Sequence, residues 1–147
     1  MALTPLTDDY VADFEIVVEP SKTYALDTES ERIRGSIDGK EAIKQAIYHI
    51  LNVQRYKWGI YSWSYGSELG DLIGKPKSFV IPEVERLVTE ALLQDDRIES
   101  VYDFAFTEGQ SKNALAVSFA VKTVSDGTIE IDDMEVNTQG YVRRSYL

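Results

Sequence analysis

The sequence predicts a single small α+β domain in which a mostly antiparallel sheet packs against two main helices. Two segments carry apolar residues at helical spacing, the first beginning near Asp38 and the second at Pro82. Segments with strand-like alternation lie before the first of these and after the second. A length of 147 residues with 44% hydrophobic residues is typical of one folded domain.

The chain divides into three parts. We expect an N-terminal arm at residues 1–19, a folded domain at 20–137 and a short exposed tail at 138–147. Within the arm, apolar residues alternate with mainly acidic ones between positions 13 and 18, and Pro20 interrupts this strand-like pattern. We interpret the arm as an edge strand or as a tail that docks on another surface.

The two helices are predicted from their ends and their apolar stripes. Asp38 can cap the first helix while Glu41 reaches back, as in a capping box, and this helix should end near Val53. Pro82 is expected as the first residue of the second helix, since proline suits that position. The second helix should end near Gln94.

Five strands are predicted. Two short ones, at 23–26 and 32–37, flank a polar turn, and the last one spans 128–136. The residues expected to share a face of the third strand are Ile98, Tyr102, Phe104 and Phe106. Those expected to share a face of the fourth are Leu115, Val117, Phe119 and Val121. The pair Asp126–Gly127 predicts a type I′ hairpin turn between the last two strands.

Composition disfavours several classes of function. The net charge of −10 repels phosphate, so neither nucleic acid nor an anionic membrane is an expected partner. The chain has no cysteine, no phosphate-binding loop, no dinucleotide fingerprint and no metal-ligand spacing, so we expect no cofactor and no metal. It has neither an export signal nor an apolar run of membrane-spanning length, which predicts that it acts in the cytoplasm.

Three groups of residues are candidates for chemistry. His49 is expected to be a partly buried helical histidine rather than a catalytic base. Glu68 and Asp71 lie three apart, so one helical turn would put both on one face, as glycoside hydrolysis would require. Carboxylates are abundant in this chain, however, and we favour a solvated or partner-facing role. The acidic residues between 126 and 135 are interpreted as a solvated turn and edge strand.

The segment 55–74 is the most informative. It contains both tryptophans, and the glycines that interrupt it predict a loop followed by a short helical turn at 68–73. Trp58, Tyr61 and Trp63 suit a protein interface, where aromatic residues act as anchors. An ordinary core remains an equal alternative at this point.

Residues 54–74 resemble the baseplate wedge and sheath-initiator family of contractile phage tails, some members of which carry a tail lysozyme-like label. The run Gln-Arg-Tyr is followed by Ile-Tyr-Ser-Trp-Ser-Tyr-Gly-Ser-Glu-Leu and then by Leu-Ile-Gly. The sequence is most similar to the branch from defective prophages of Gram-positive bacteria. Residues 35–39 and 96–98 match that branch too, and the resemblance covers about 20–136.

Two positions depart from the family pattern. Many members carry an acidic residue where this chain has Gln54. Many place a proline before the aromatic residue and glycine, whereas Trp63–Gly66 contains none. Both departures are compatible with the prophage branch.

The resemblance implies a structural baseplate component with no catalytic residues. Such a protein would nucleate the sheath by strand addition and link the baseplate wedge to the sheath. Its implied partners are the sheath protein, the wedge proteins and, in addition, tube or hub proteins, with multiple copies around the tube. It would be made in the bacterial cytoplasm and then reside in a phage virion or a phage-tail-like particle (tailocin).

The resemblance also implies particular site residues. The family's arginine and aromatic-glycine segment packs on the wedge, and its counterparts here are Arg55, Tyr56, Tyr65, Gly66 and Leu69. On this hypothesis, Arg55→Ala weakens wedge binding and leaves the domain folded. The alternative is a peptidoglycan-degrading, lysozyme-like baseplate enzyme that uses Glu68 and Asp71. A third hypothesis is an acidic adaptor unrelated to tails.

Overall fold

The structure of the protein is a computed structural model. It describes residues 21–27, 29–72, 74–110, 114–137 and 142–143. The predicted arm lies outside the described residues, as does most of the predicted tail. The proposed boundaries of arm, domain and tail therefore stay predictions.

The described residues form an α+β domain of two main helices and two antiparallel sheets, which confirms the predicted fold class. The elements in chain order are β1 Thr23–Asp27, β2 Arg32–Ile37, α1 Gly39–Asn52, a 3-10 turn Leu69–Leu72, α2 Lys77–Leu92, β3 Ile98–Glu108, β4 Ala114–Thr123, β5 Thr128–Asn137 and β6 Val142–Arg143. β1 and β2 form a two-stranded sheet, and the other four strands form a sheet in the order β3-β4-β5-β6. Neither helix is long and apolar enough to cross a membrane.

One hydrophobic core joins the helices to the larger sheet. Each helix contributes the stripe that its sequence predicted, represented by Ile43 and Ile47 on α1 and by Val84 and Val88 on α2. The predicted face of β4 is buried as expected, with Val117 completely enclosed. Burial of side chains of this size stabilises the fold by about 1.5–3 kcal/mol each, which is why these elements pack as they do.

The start of α2 differs from the prediction. The helix begins at Lys77 rather than at Pro82, and Pro76 is its N-cap, whose carbonyl accepts from the N–H groups of Phe79 and Val80. Pro82 therefore lies in the second turn, where it cannot donate to the carbonyl of Ser78. Ser78 is exposed, so water can bond to its carbonyl, and the helix tolerates the proline.

The predicted face of β3 is wrong at one residue. Tyr102 is exposed, and Val101 packs against the core instead. The cause is two bulges in β3, one between Ile98 and Ser100 and one between Tyr102 and Ala105, where Asp103 adopts a φ of 56°. Each bulge shifts the alternation by one residue, so Val101 faces the core in place of Tyr102. The remaining predicted residues pack in or against the core: Ile98, Phe104 and Phe106.

The hairpin between β4 and β5 forms where predicted, but its turn is not type I′. Gly127 has a φ of 77°, whereas Asp126 is not in the left-handed region that type I′ also requires there. Thr123 closes a longer turn, since its hydroxyl donates to the carbonyl of Gly127 and accepts from the N–H of Asp126. β6, which pairs with the end of β5, is an additional strand that was not predicted from the sequence.

Candidate functional site

Residues 55–66 form a loop whose two ends meet, and we call this segment the aromatic loop. At its base the N–H of Arg55 donates to the carbonyl of Ser67 at 3.1 Å. The N–H of Ser67 donates to the carbonyl of Val53 at 2.9 Å. The Ser67 hydroxyl donates to the carbonyl of Leu51 at 2.8 Å. The base is thereby fixed to the carboxyl end of α1.

Gly66 makes this close approach possible. Its φ of 99° lies in the region that favours glycine, and a Cβ atom there would stand 2.5 Å from the carbonyl oxygen of Val53. Real Cβ atoms do not come so close to an oxygen. Any other residue would push the two ends of the loop apart.

Arg55 ties the base to the second helix. Its side chain is only 7% exposed, and Nη1 donates to Oε1 of Glu90 on α2 at 2.8 Å. Nη2 donates to the carbonyl of Gly66 at 3.1 Å. Burial lowers the pKa of Arg55, but the Glu90 carboxylate outweighs burial and holds that pKa above its ordinary value. The cation therefore joins the loop to α2.

The tip of the aromatic loop is apolar and exposed. The exposed fractions are 67% for Tyr56, 54% for Trp58, 86% for Ile60 and 77% for Trp63. The Lys57 ammonium lies 5.3 Å from the centre of the Trp58 ring. Since both tryptophans are on the surface, the structure favours the interface interpretation over the core one for them.

Two tyrosines connect the tip to the base. Tyr61 and Tyr65 stack with ring centres 4.8 Å apart, and both are half-buried. Burial raises the pKa of Tyr65, and the neighbouring Tyr61 adds to this. The Tyr61 hydroxyl lies 3.1 Å from Nε2 of His49. His49 itself is exposed, which corrects the expectation of partial burial, because it lies on the side of α1 away from the apolar stripe.

The five residues expected to bind the wedge do not share one surface. Arg55, Gly66 and Leu69 are buried within the domain, Tyr65 is half-buried, and Tyr56 is exposed beside the tryptophans. Tyr56 has a φ of 66°, which turns its side chain outward next to the buried Arg55. The structure therefore separates this set into a base and a tip.

The carboxylates weighed for hydrolysis gain no support from their setting. Asp71 is exposed in the 3-10 turn and Glu68 is half-buried just before it. A general acid needs an apolar enclosure that keeps it protonated. In the ranges that the structure describes, no group of three or more potential metal-ligating side chains is close enough to hold an ion.

A second exposed feature, which sequence reasoning missed as a site, is the hairpin of β1 and β2. Its outer face carries Tyr24, Leu26 and Ile33, with exposed fractions of 71%, 49% and 65%. Gln45 of α1 lies along the outer edge of β1. Its Nε2 donates to the carbonyl of Tyr24 and its Oε1 accepts from the N–H of Leu26, both at 2.9 Å.

A small domain that exposes an apolar loop and a short apolar sheet has the features of an assembly protein that works by contact. Comparison with known proteins gives the class. Residues 21–126 match the family model for contractile injection system sheath initiators. The chain is also 40% identical over 141 residues to the phage-like element PBSX protein XkdS of Bacillus subtilis strain 168. That match covers 91% of this chain and 96% of the relative.

The protein belongs to the family of contractile injection system sheath initiators. This confirms the resemblance found in residues 54–74. It is therefore a structural component of a contractile tail, associated with the sheath and the baseplate.

Proposed function

We propose that this protein starts sheath assembly by joining the baseplate wedge to the first sheath subunits. The observation that carries this proposal is the aromatic loop, because its buried and hydrogen-bonded base holds an exposed apolar tip. Aromatic side chains have few rotatable bonds and lose little conformational entropy on binding, which favours a stable protein contact.

On the wedge side, the contact is made by Tyr56, Trp58, Ile60 and Trp63. Arg55, Gly66 and Leu69 act through these residues, since their burial leaves them to position the loop rather than to touch a partner. Tyr61 and Tyr65 link the two groups through their stacked rings. This refines the expectation that Arg55 itself binds the wedge.

On the sheath side, the contact is strand addition to the outer edge of β2. An edge strand presents unpaired N–H and C=O groups that an extended segment of another chain can satisfy. Gln45 already bonds to the outer edge of β1. β3 carries two bulges, with Asp103 at positive φ, and bulges discourage pairing. The outer edge of β5 is paired with β6. β2 carries a single bulge, between Ile33 and Ser36 with Gly35 at a φ of 68°, so the regular part of its free edge is at Arg32 and Ile33.

We further infer that several copies surround the tail tube in the finished particle, next to tube or hub proteins. The protein would be synthesised in the cytoplasm of the bacterial host before it enters the virion or tailocin. The hydrolase alternative is not proposed, since no observation favours it.

The test is deletion of the gene in a producing strain, followed by electron microscopy of the particles. We expect naked tubes or unsheathed baseplates, restored to sheathed tails by a plasmid copy. A plasmid copy carrying Glu68→Ala and Asp71→Ala should restore them equally well, because neither carboxylate has a catalytic role. Normal sheathed particles from the deletion strain would overturn the proposal.

A further inference from the structure

The outer edge of β2 has a distinct chemical pattern. Ile33 is 65% exposed on the apolar face of the hairpin, next to Leu26 on β1. Arg32 and Arg34 flank it and point to the opposite face. Arg34 is 65% exposed, and its Nε is 3.7 Å from the Asp27 carboxylate, so this ion pair is loose. A strand that adds here should carry acidic residues on both sides of an apolar one.

This chain contains such a segment. Residues 13–18 read Asp-Phe-Glu-Ile-Val-Val, so Phe14 lies between two carboxylates just as Ile33 lies between two guanidinium groups. The segment precedes β1 by only a few residues and lies outside the described residues. If Phe14 lies opposite Ile33, each of the two carboxylates faces one of the two arginines, whether the strands run parallel or antiparallel.

The connection to β1 decides between these directions. Thr23 at the start of β1 pairs with Ile37 at the end of β2. With Phe14 beside Ile33 and the strands parallel, Val18 comes within about one residue of the level of Ile37, since β2 has one extra residue in its bulge between Ile33 and Ser36. The chain from Val18 to Thr23 then crosses two strand spacings, about 10 Å, and its five peptide steps reach up to about 17 Å. If residues 13–18 ran antiparallel to β2, their end would lie at the opposite end of β2, and the connection to Thr23 would also have to run back along the length of the strand.

We propose that residues 13–18 dock on the outer edge of β2 of the same chain, parallel to it, with Phe14 beside Ile33. Docking covers the exposed apolar face at Ile33 and pairs both arginines.

The chain has no cysteine, which allows a clean disulfide test on the full-length isolated protein. In the variant Phe14→Cys/Ile33→Cys, mild oxidation should give an intramolecular disulfide. Two matched controls are Asp13→Cys/Ile33→Cys, whose side chains would face opposite sides, and Phe14→Cys/Ile60→Cys, which uses the 86% exposed tip residue. We expect the first pair to close at least about tenfold faster than either control, because docking raises the effective concentration of its thiols.

A charge-reversal variant tests whether the two arginines cause the docking. Adding Arg32→Glu and Arg34→Glu to the first pair should reduce its rate to that of the controls. Equal rates in all three pairs, or disulfides that join two copies, would overturn the proposal. Since the test uses the isolated protein, its failure would leave sheath initiation intact, and a deletion strain with normal sheaths would leave the docking result intact.

Discussion

The base and the tip of the aromatic loop have opposite environments although their residues are close neighbours in the sequence. Arg55 is buried and bonded to Glu90, whereas its neighbour Tyr56 is 67% exposed. Gly66 is enclosed by backbone, whereas Trp63, three residues earlier, is 77% exposed. The difference indicates that the base contributes stability and that the tip contributes binding. Substitutions can separate these two contributions.

The largest loss of stability is expected at Gly66. Gly66→Ala combines a left-handed backbone with a contact of 2.5 Å to the carbonyl oxygen of Val53, and should lower the free energy of unfolding by about 3 kcal/mol. Gly59→Ala is the matched control, because a Cβ atom there meets nothing within 4 Å. Urea unfolding measures both. A loss at Gly66 no larger than at Gly59 would show that the base is not rigid.

Arg55→Ala should have the next largest effect. It leaves the carbonyl of Gly66 without its side-chain donor and removes the buried one of the two arginines that bond to Glu90, and should cost about 2 kcal/mol. Arg86→Ala is the control, since Arg86 bonds to the same Glu90 from a position that is 56% exposed and should cost less than about 1 kcal/mol. This revises the earlier expectation that the domain tolerates Arg55→Ala. Equal losses in the two variants would argue against a positioning role for Arg55.

A smaller effect on the free energy of unfolding should come from a rise in pH. Burial raises the pKa of Tyr65, so its contribution to stability is complete below the unfolded pKa of about 10 and is lost as the pH rises through the folded value. The free energy of unfolding of the unaltered protein should therefore fall above pH 10. Tyr65→Phe should fall less steeply over the same range. Identical slopes in both proteins would exclude Tyr65 as the source.

The smallest change in stability is expected at the tip. Trp58→Ala/Trp63→Ala should alter the free energy of unfolding by less than about 1 kcal/mol, because both side chains are mostly exposed. Co-purification with the wedge proteins should nevertheless fall at least about tenfold, as is typical when aromatic anchors are removed. Tyr102→Ala removes an exposed aromatic side chain from β3 and should leave co-purification unchanged. Undiminished binding by the tip variant would count against the wedge contact.

The sequence predicted those features that depend on local pattern. Apolar stripes located both helices, and the cluster of aromatic residues located the loop. The start of α2 was missed because Pro82 removes only one hydrogen bond there, while Pro76 offers an earlier start. The exposure of Tyr102 depends on bulges in β3 where it pairs with β4. β6 has only two residues, too few to show the alternation typical of a strand. These features arise from pairing between distant segments.

The same limit applies to the site. The aromatic composition of the loop left an interface and an ordinary core as equal alternatives, because which residues are buried depends on the φ angles of Tyr56 and Gly66, and no local pattern marks these angles. The bonds from Gln45 to β1 span about twenty residues of sequence, and no local pattern marks them.

The most direct test of the central claim is complementation of the deletion strain with Trp58→Ala/Trp63→Ala, followed by counting sheathed and naked tails in micrographs. We expect the tip variant to be folded and to leave most tubes naked, while the Tyr102→Ala variant restores sheathed tails. Full restoration of sheathed tails by the tip variant would contradict the claim that the exposed tip joins this protein to the baseplate.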